Sequence, residues 1–252
     1  LGVSARRVQV IHNGIEAAPG LDVERSGHPH IAVVGRLVPH KRVEHVLRAG
    51  AILRRRHPGL RISVVGDGWW SPRLRHVAQT LGVTDMVDFL GFVDEKTKHQ
   101  VYASAWLLAL PSLKEGWGIV VMEAATHGVP AVAYRDAGGV GESIQHETTG
   151  LLVDGDVLDY ARALDDLLSE PVRAQHMGEE ARKRAEEFTW AATAKAFAAV
   201  LSDVAGVAAG GRDVPGHARE RRAVEALDAA AAHRPVGRVL LRRNAGHVAS
   251  HD

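Results

Sequence analysis

Cysteine is absent from the 252 residues. That excludes disulfide staples and thiolate chemistry, and it accords with a reducing, cytoplasmic setting. Excess charge is absent as well: a formal net charge of +1 gives no global pull toward nucleic acid or a membrane. No apolar run approaches the roughly 20 residues that a membrane helix needs, and no signal-peptide pattern opens the chain. It begins at Leu1 rather than methionine, as expected for a processed product or an excised piece. The fifteen histidines show no metal-ligand clustering. What remains is ordinary for a globular protein: 46% hydrophobic and 24% charged residues, enough for one good core or two small ones.

Read in order, the chain alternates short apolar runs with helical patterns. Val8–Ile11 reads as a strand closed by the turn His12-Asn13-Gly14, and residues 15–29 read as loop. Further strands are expected at 31–34, 60–65, 86–90, 106–110, 129–133 and 150–153. Helical patterns lie between them, at 43–56, 73–81, 95–103 and from Ile119, and then at 156–169, 171–186 and 190–205. This rhythm predicts an α/β fold, a doubly wound parallel sheet of Rossmann type whose strands are covered on both faces. Ligands of such sheets sit at the carboxyl ends of strands, near a switch point. The glycine-bearing loops of this chain all fall at strand ends.

Two stretches carry chemistry. After the strand at 31–34 come Gly35, Arg36 and, five positions on, Lys41, a planar guanidinium fork and a flexible point charge that suit a diphosphate. The bland alternative is a pair of solvated cations. Arg36 stands at the mouth of a buried strand. Lys41 reads as opening a helix, where a cation opposes the dipole unless an anion is bound. Arg42, Arg48 and Arg54–Arg56 read as the solvated face of that helix. The second stretch, residues 111–128, holds the loop Glu115-Gly116-Trp117-Gly118 and then a helix from Ile119 and Val120. Its glycines permit close backbone approach, and the helix start suits a phosphate. Glu123 sits among apolar neighbours, where an unpaired carboxylate is costly. The bland reading of Glu115 is an N-terminal helix charge.

Together these residues resemble a known family. Gly35-Arg36 with Lys41, the Glu115 and Glu123 pair of E-G-W-G-x4-E, and Gly150-Leu151-Leu152-Val153 resemble the donor-binding, C-terminal half of a GT-B glycosyltransferase, of the retaining family 4 type, over residues 8–205. The resemblance implies that Arg36 and Lys41 hold the diphosphate of a nucleoside-diphosphate sugar and offset charge on the leaving group. It implies that Glu115 lies beside the transferred sugar, with backbone N–H groups from Gly116 to Ile119 holding hydroxyls and phosphate, and that Glu123 binds ribose. Gly66 (in Gly66-Asp67-Gly68) and Gly91-Phe92-Val93 would face ribose and base. Trp69-Trp70 either stacks on a ligand or packs. It further implies front-side transfer with retention, a donor that is a substrate with no separate cofactor, and no metal. Gly141 and His12 stand where the family commonly has proline, which loosens the Gly138–Glu142 loop.

The same resemblance implies a division of the chain. Residues 1–14 would be the crossover from an amino-terminal, acceptor-binding domain that is missing here, 15–205 the nucleotide-sugar domain, and 206–252 a linker and tail. That tail has a helical pattern at 217–233 and a strand-like run at 236–241. Its mixed charges favour a solvated helix over peripheral contact with the inner face of a membrane. The acceptor is unknown. The alternatives are a binding module without catalysis and another GT-B enzyme, such as a nucleotide-sugar epimerase.

Overall fold

A computed structural model describes residues 8–20 and 23–209. Contacts divide the chain into the units Leu1–Ala198 and Ala199–Asp252, and the sheet lies wholly within the first. Six parallel strands form it: β1 His30–Val34, β2 Arg61–Val65, β3 Val87–Gly91, β4 Leu107–Leu110, β5 Ala131–Tyr134 and β6 Gly150–Val153. The helices are α1 Val43–Leu53, α2 Ser71–Leu81, α3 Glu95–Ser104, α4 Ile119–Thr126, α5 Val140–Ser143, α6 Val157–Ser169, α7 Pro171–Ala185 and α8 Trp190–Ala209. Among the described residues no helix is long and apolar enough to cross a membrane.

Across the sheet the strands run β3-β2-β1-β4-β5-β6. The chain winds outward from β1 to β3, then returns to lay β4 against the other side of β1. The order therefore reverses between β1 and β4, which opens a crevice at their carboxyl ends. Strands β1, β4, β5 and β6 are buried at every position, as apolar strands roofed by helices must be. The edge strand β3 is buried only at Val87.

Helix ends follow local chemistry. The Asp94 side chain accepts the Thr97 N–H at the start of α3, and Asp156 with Asp159 forms a capping box on α6. Gly82 ends α2 in the left-handed conformation at φ 66°. One polar link crosses the core boundary: Asp165 on α6 is paired with His57 Nε2 at 2.7 Å and with Arg56 at 2.5 Å, tying α6 to the end of α1.

Several expectations shift. Val8–Ile11 forms no strand: among the described residues it has no backbone hydrogen-bond partner, and Val8 and Val10 are exposed. Helix α1 stops at Leu53, with residues 54–56 in a turn, while α8 continues through Gly206 to Ala209 because the following Val-Ala-Ala sequence sustains it. The glycine loop after β5 tightens into the short helix α5. Lys41 does not open α1. It closes a 3-10 turn, Pro39–Lys41, one residue before Arg42 caps the helix. The patterns at 217–233 and 236–241, and residues 1–7, lie outside the described residues.

All three tyrosines of the chain are buried. Tyr160 donates to the Val132 carbonyl (2.8 Å), Tyr134 to the Asp156 carbonyl (3.1 Å) and Tyr102 to Glu123 (2.8 Å). Burial disfavours the phenolate, pushing Tyr134 up to about 12 and the other two well above the ordinary value. The folded phenols therefore stay protonated where unfolded ones ionise. Their contribution to stability is intact below about pH 10 and is lost as pH rises beyond it. Ultraviolet titration of the native protein should show almost no tyrosinate at about pH 10, with ionisation appearing together with unfolding. A reversible tyrosinate titration centred near 10 in the folded protein would contradict this burial.

Candidate functional site

The crevice between β1 and β4 is built from three loops that touch through backbone. After β1 the chain turns at Gly35 (φ +149°), whose N–H donates to the Val65 carbonyl at 3.0 Å. Arg36 then projects into solvent while Leu37 is buried. After β4, the Leu113 N–H donates to the His40 carbonyl at 2.7 Å, fastening the β4 loop to the turn that carries Lys41. The Glu115 N–H donates to the Ala137 carbonyl at 2.6 Å, which brings in the loop after β5.

Side chains close the same junction. Lys41 Nζ pairs with Glu115 Oε1, and Ser112 Oγ donates to that oxygen at 2.8 Å. Ser112 is fully buried, and the Glu115 and Lys41 side chains are only 10% and 19% exposed. Lys41, which closes the 3-10 turn rather than opening α1, thus has its charge paired by a carboxylate of the protein itself. A cleft of about 580 Å³ opens beside the pair, lined by His40, Leu113, Lys114, Glu115, Asp136, Ala137 and Gly138. Lys41, Gly35, Arg36 and Ser112 border a small adjoining void of about 10 Å³. Gly118, left-handed at φ 80°, caps α4 with no side-chain hydrogen bond; Gly116 before it and Ile119, the first residue of α4, are exposed. The loop therefore presents uncapped N–H groups. Val120 is half-buried against the core.

The other expected residues form two further groups. Gly66 donates its N–H to the Gly91 carbonyl (2.8 Å), and a Cβ on Gly66 would fall 2.0 Å from the Gly35 carbonyl oxygen, so the ends of β1, β2 and β3 are packed backbone on backbone. Phe92 is 89% exposed, while Val93 packs on the core. Trp69 is exposed, and Trp70 turns inward and donates to Glu44. Glu123 is not beside Glu115. It accepts from Tyr102 Oη (2.8 Å) and from Lys98 Nζ (3.1 Å), both on α3. Trp117 leans the other way, stacked on His12 (4.7 Å) and tilted against Phe188 (4.9 Å). Ser112, Lys98 and Tyr102 were not singled out from sequence. Ser112 lies in the motif stretch itself, but nothing local marks the two α3 residues.

The Gly138–Gly139 backbone lies close under the Glu115 loop. A Cβ on Gly139 would come within 2.0 Å of the Gly116 carbonyl oxygen, although its φ of −71° suits any residue. Gly139→Ala should therefore cost about 1–3 kcal/mol by crowding alone, read as a lowered urea midpoint. An unchanged midpoint would show that the loops are not in contact.

A family model described as glycosyl transferases group 1 matches residues 22–184. The D-inositol 3-phosphate glycosyltransferase of Nocardia farcinica is 39% identical over 210 residues, which cover 77% of this chain and 46% of that protein. The chain thus spans less than half the length of the curated relatives it matches. Among solved structures, Anabaena Alr3699/HepE in complex with UDP-glucose aligns at a TM-score of 0.64 and 25% identity, covering 70% of this chain and 49% of that one. The C-terminal domain of a glycosyl transferase group 1 protein, LpcC of Francisella tularensis, aligns at 0.57 and 20% identity, with 63% of this chain covering 85% of that domain. The fold is that of the C-terminal half of a GT-B glycosyltransferase. The chain belongs to the glycosyl transferases group 1 family.

Proposed function

We propose that this chain is the donor-binding domain of a retaining glycosyltransferase, taking a nucleoside-diphosphate sugar in the crevice between β1 and β4. The observation that carries the reading is the pairing of Lys41 from the β1 loop with Glu115 from the β4 loop, with Arg36 bordering the same small void as Lys41, at the point where strand order reverses. The solved relative in complex with UDP-glucose supports a donor of this class.

In this reading the Arg36 guanidinium, exposed and without an ion-pair partner among the described residues, takes the diphosphate bidentately. Lys41 moves from Glu115 to a phosphate oxygen and offsets the charge that grows on the departing nucleoside diphosphate. Glu115, released, accepts hydroxyl protons of the transferred sugar, and the N–H groups of Gly116 to Ile119 hold further hydroxyls and phosphate oxygens. Glu123 stays oriented by Tyr102 and Lys98 and keeps lone pairs free for ribose hydroxyls. Gly66 and the Gly91–Val93 strand end face ribose and base through backbone. Two cations at the diphosphate make a metal or separate cofactor unnecessary in this scheme. The acceptor approaches the same face of the sugar as the leaving phosphate, giving retention, and is held by an amino-terminal domain outside this chain. Within the chain, residues 15–205 bind the donor. The setting is the cytoplasm, free or peripheral at a membrane.

Calorimetric titration with UDP, GDP and ADP tests the reading. At least one should bind at millimolar or lower concentration. Arg36→Ala should weaken that binding by about 1.5–3 kcal/mol, roughly 10- to 100-fold in Kd. Failure of all three nucleotides to bind would overturn it, and an unchanged Kd in the variant would remove Arg36 from the site.

A further inference from the structure

Among the arginines around α1, Arg54 is paired with Asp85 at 2.5 Å and Arg56 with Asp165 at 2.5 Å at its carboxyl end. Arg42 at its N-cap and Arg48 at its middle have no carboxylate partner among the described residues, and neither has Arg73 on the adjacent α2. These three arginines, the guanidinium of Arg42 lying over the Tyr134 ring at 5.7 Å from its centroid, border one groove of about 400 Å³ between α1 and α2, together with His45 and the Trp70 indole. The groove shares no lining residue with the void at Arg36 and Lys41 or with the cleft at Glu115. One turn, Pro39–Lys41, separates them: Lys41 faces the void, His40 the cleft and Pro39 the groove.

We propose that the α1–α2 groove is a second anion site, which binds a phosphate group through Arg42, Arg48 and Arg73. Three like charges beside one concavity repel one another, and a bound phosphate offsets that repulsion while giving each planar fork an acceptor. Arg42 is held at φ 48°, ψ 36°, a left-handed conformation that is unfavourable for an L-residue and free for glycine. Strain of this kind gathers at ligand clamps. The repulsion is felt inside the groove: burial first, then the charges of Arg42 and Arg48, hold His45 below the usual imidazole range. His45 Nδ1 is engaged by the Tyr134 hydroxyl at 2.8 Å, which fixes the ring at the groove wall. The one carboxylate of the lining, Glu44, accepts the Trp70 indole N–H and keeps its charge, so three arginines against one glutamate leave the lining with an excess of positive charge. The site does not depend on the donor reading.

Inorganic pyrophosphate is the probe, and the Trp70 indole N–H resonance, identified by its loss in Trp70→Phe, is the local reporter. Titration should move this resonance in the wild-type protein and equally in Arg36→Ala, which separates the groove from the donor crevice. In an Arg48→Gln/Arg73→Gln protein of unchanged Tm the same shift should need at least about tenfold more pyrophosphate, the loss of one charge-assisted contact. No movement of Trp70 in the wild type, or an unchanged affinity in the double variant, overturns the proposal. Sedimentation with phosphatidylglycerol against phosphatidylcholine vesicles then assigns the source. Retention that falls in the double variant identifies a lipid headgroup, and pyrophosphate binding without retention identifies a soluble phosphate.

Discussion

The contact on which the candidate site depends is the Lys41–Glu115 ion pair, with Ser112 as its third member. It joins residues 74 positions apart and spans the crevice where the sheet reverses its order. Two largely buried charges must be paired to be tolerated, and each here is the other's partner. A pair of this kind gains little over apolar residues in stability. Its consequence is positional: it holds the β1 turn against the β4 loop, and the Leu113 and Glu115 backbone N–H groups hold the β4 loop against its neighbours.

From that junction the rest of the site is set by packing. With the β4 loop pinned, Gly118 can start α4 with its first N–H groups uncovered. The Trp117 ring is drawn off to His12 and Phe188, away from the Glu115 side of the loop that lines the cleft. Glu123 is set one turn into α4 and clamped by α3, so the two glutamates of the motif occupy different surroundings although only eight residues separate them. The family relation and the parallel sheet give this arrangement its context. The ion pair gives the proposed site its chemical meaning, since in that proposal an incoming diphosphate would compete with Glu115 for the same ammonium.

Much of this was legible in the sequence, for physical reasons. A strand buried on both faces must be a continuous apolar run, so five of the six strands stood out to within one residue of their bounds, and Ala131–Tyr134 was displaced by one or two residues toward its amino end. Glycine and proline marked the loops because few other residues meet those backbone demands. Strand order was not legible, since no local pattern states which strand lies beside β1. Without it, Lys41 and Glu115 were two separate motif residues, and Lys41 seemed to need a ligand to offset a helix dipole. Val8–Ile11 has strand composition but no neighbouring strand to pair with, and composition cannot reveal that. Likewise the helical period around Arg42 and Arg48 showed a polar face. That α2 brings Arg73 to the same groove is a fact of tertiary packing alone.

If Glu115 holds Lys41 in reserve for the donor's diphosphate, the two residues must respond oppositely to substitution, and UDP affinity in Glu115→Gln beside Lys41→Met reads this out. Removing the competing carboxylate while keeping its shape should tighten UDP binding several-fold, by about 1 kcal/mol, and Lys41→Met should weaken it. If Glu115→Gln bound UDP no more tightly than the unaltered protein, the ion pair would not be a reserve for phosphate, and the role given to it here would be wrong.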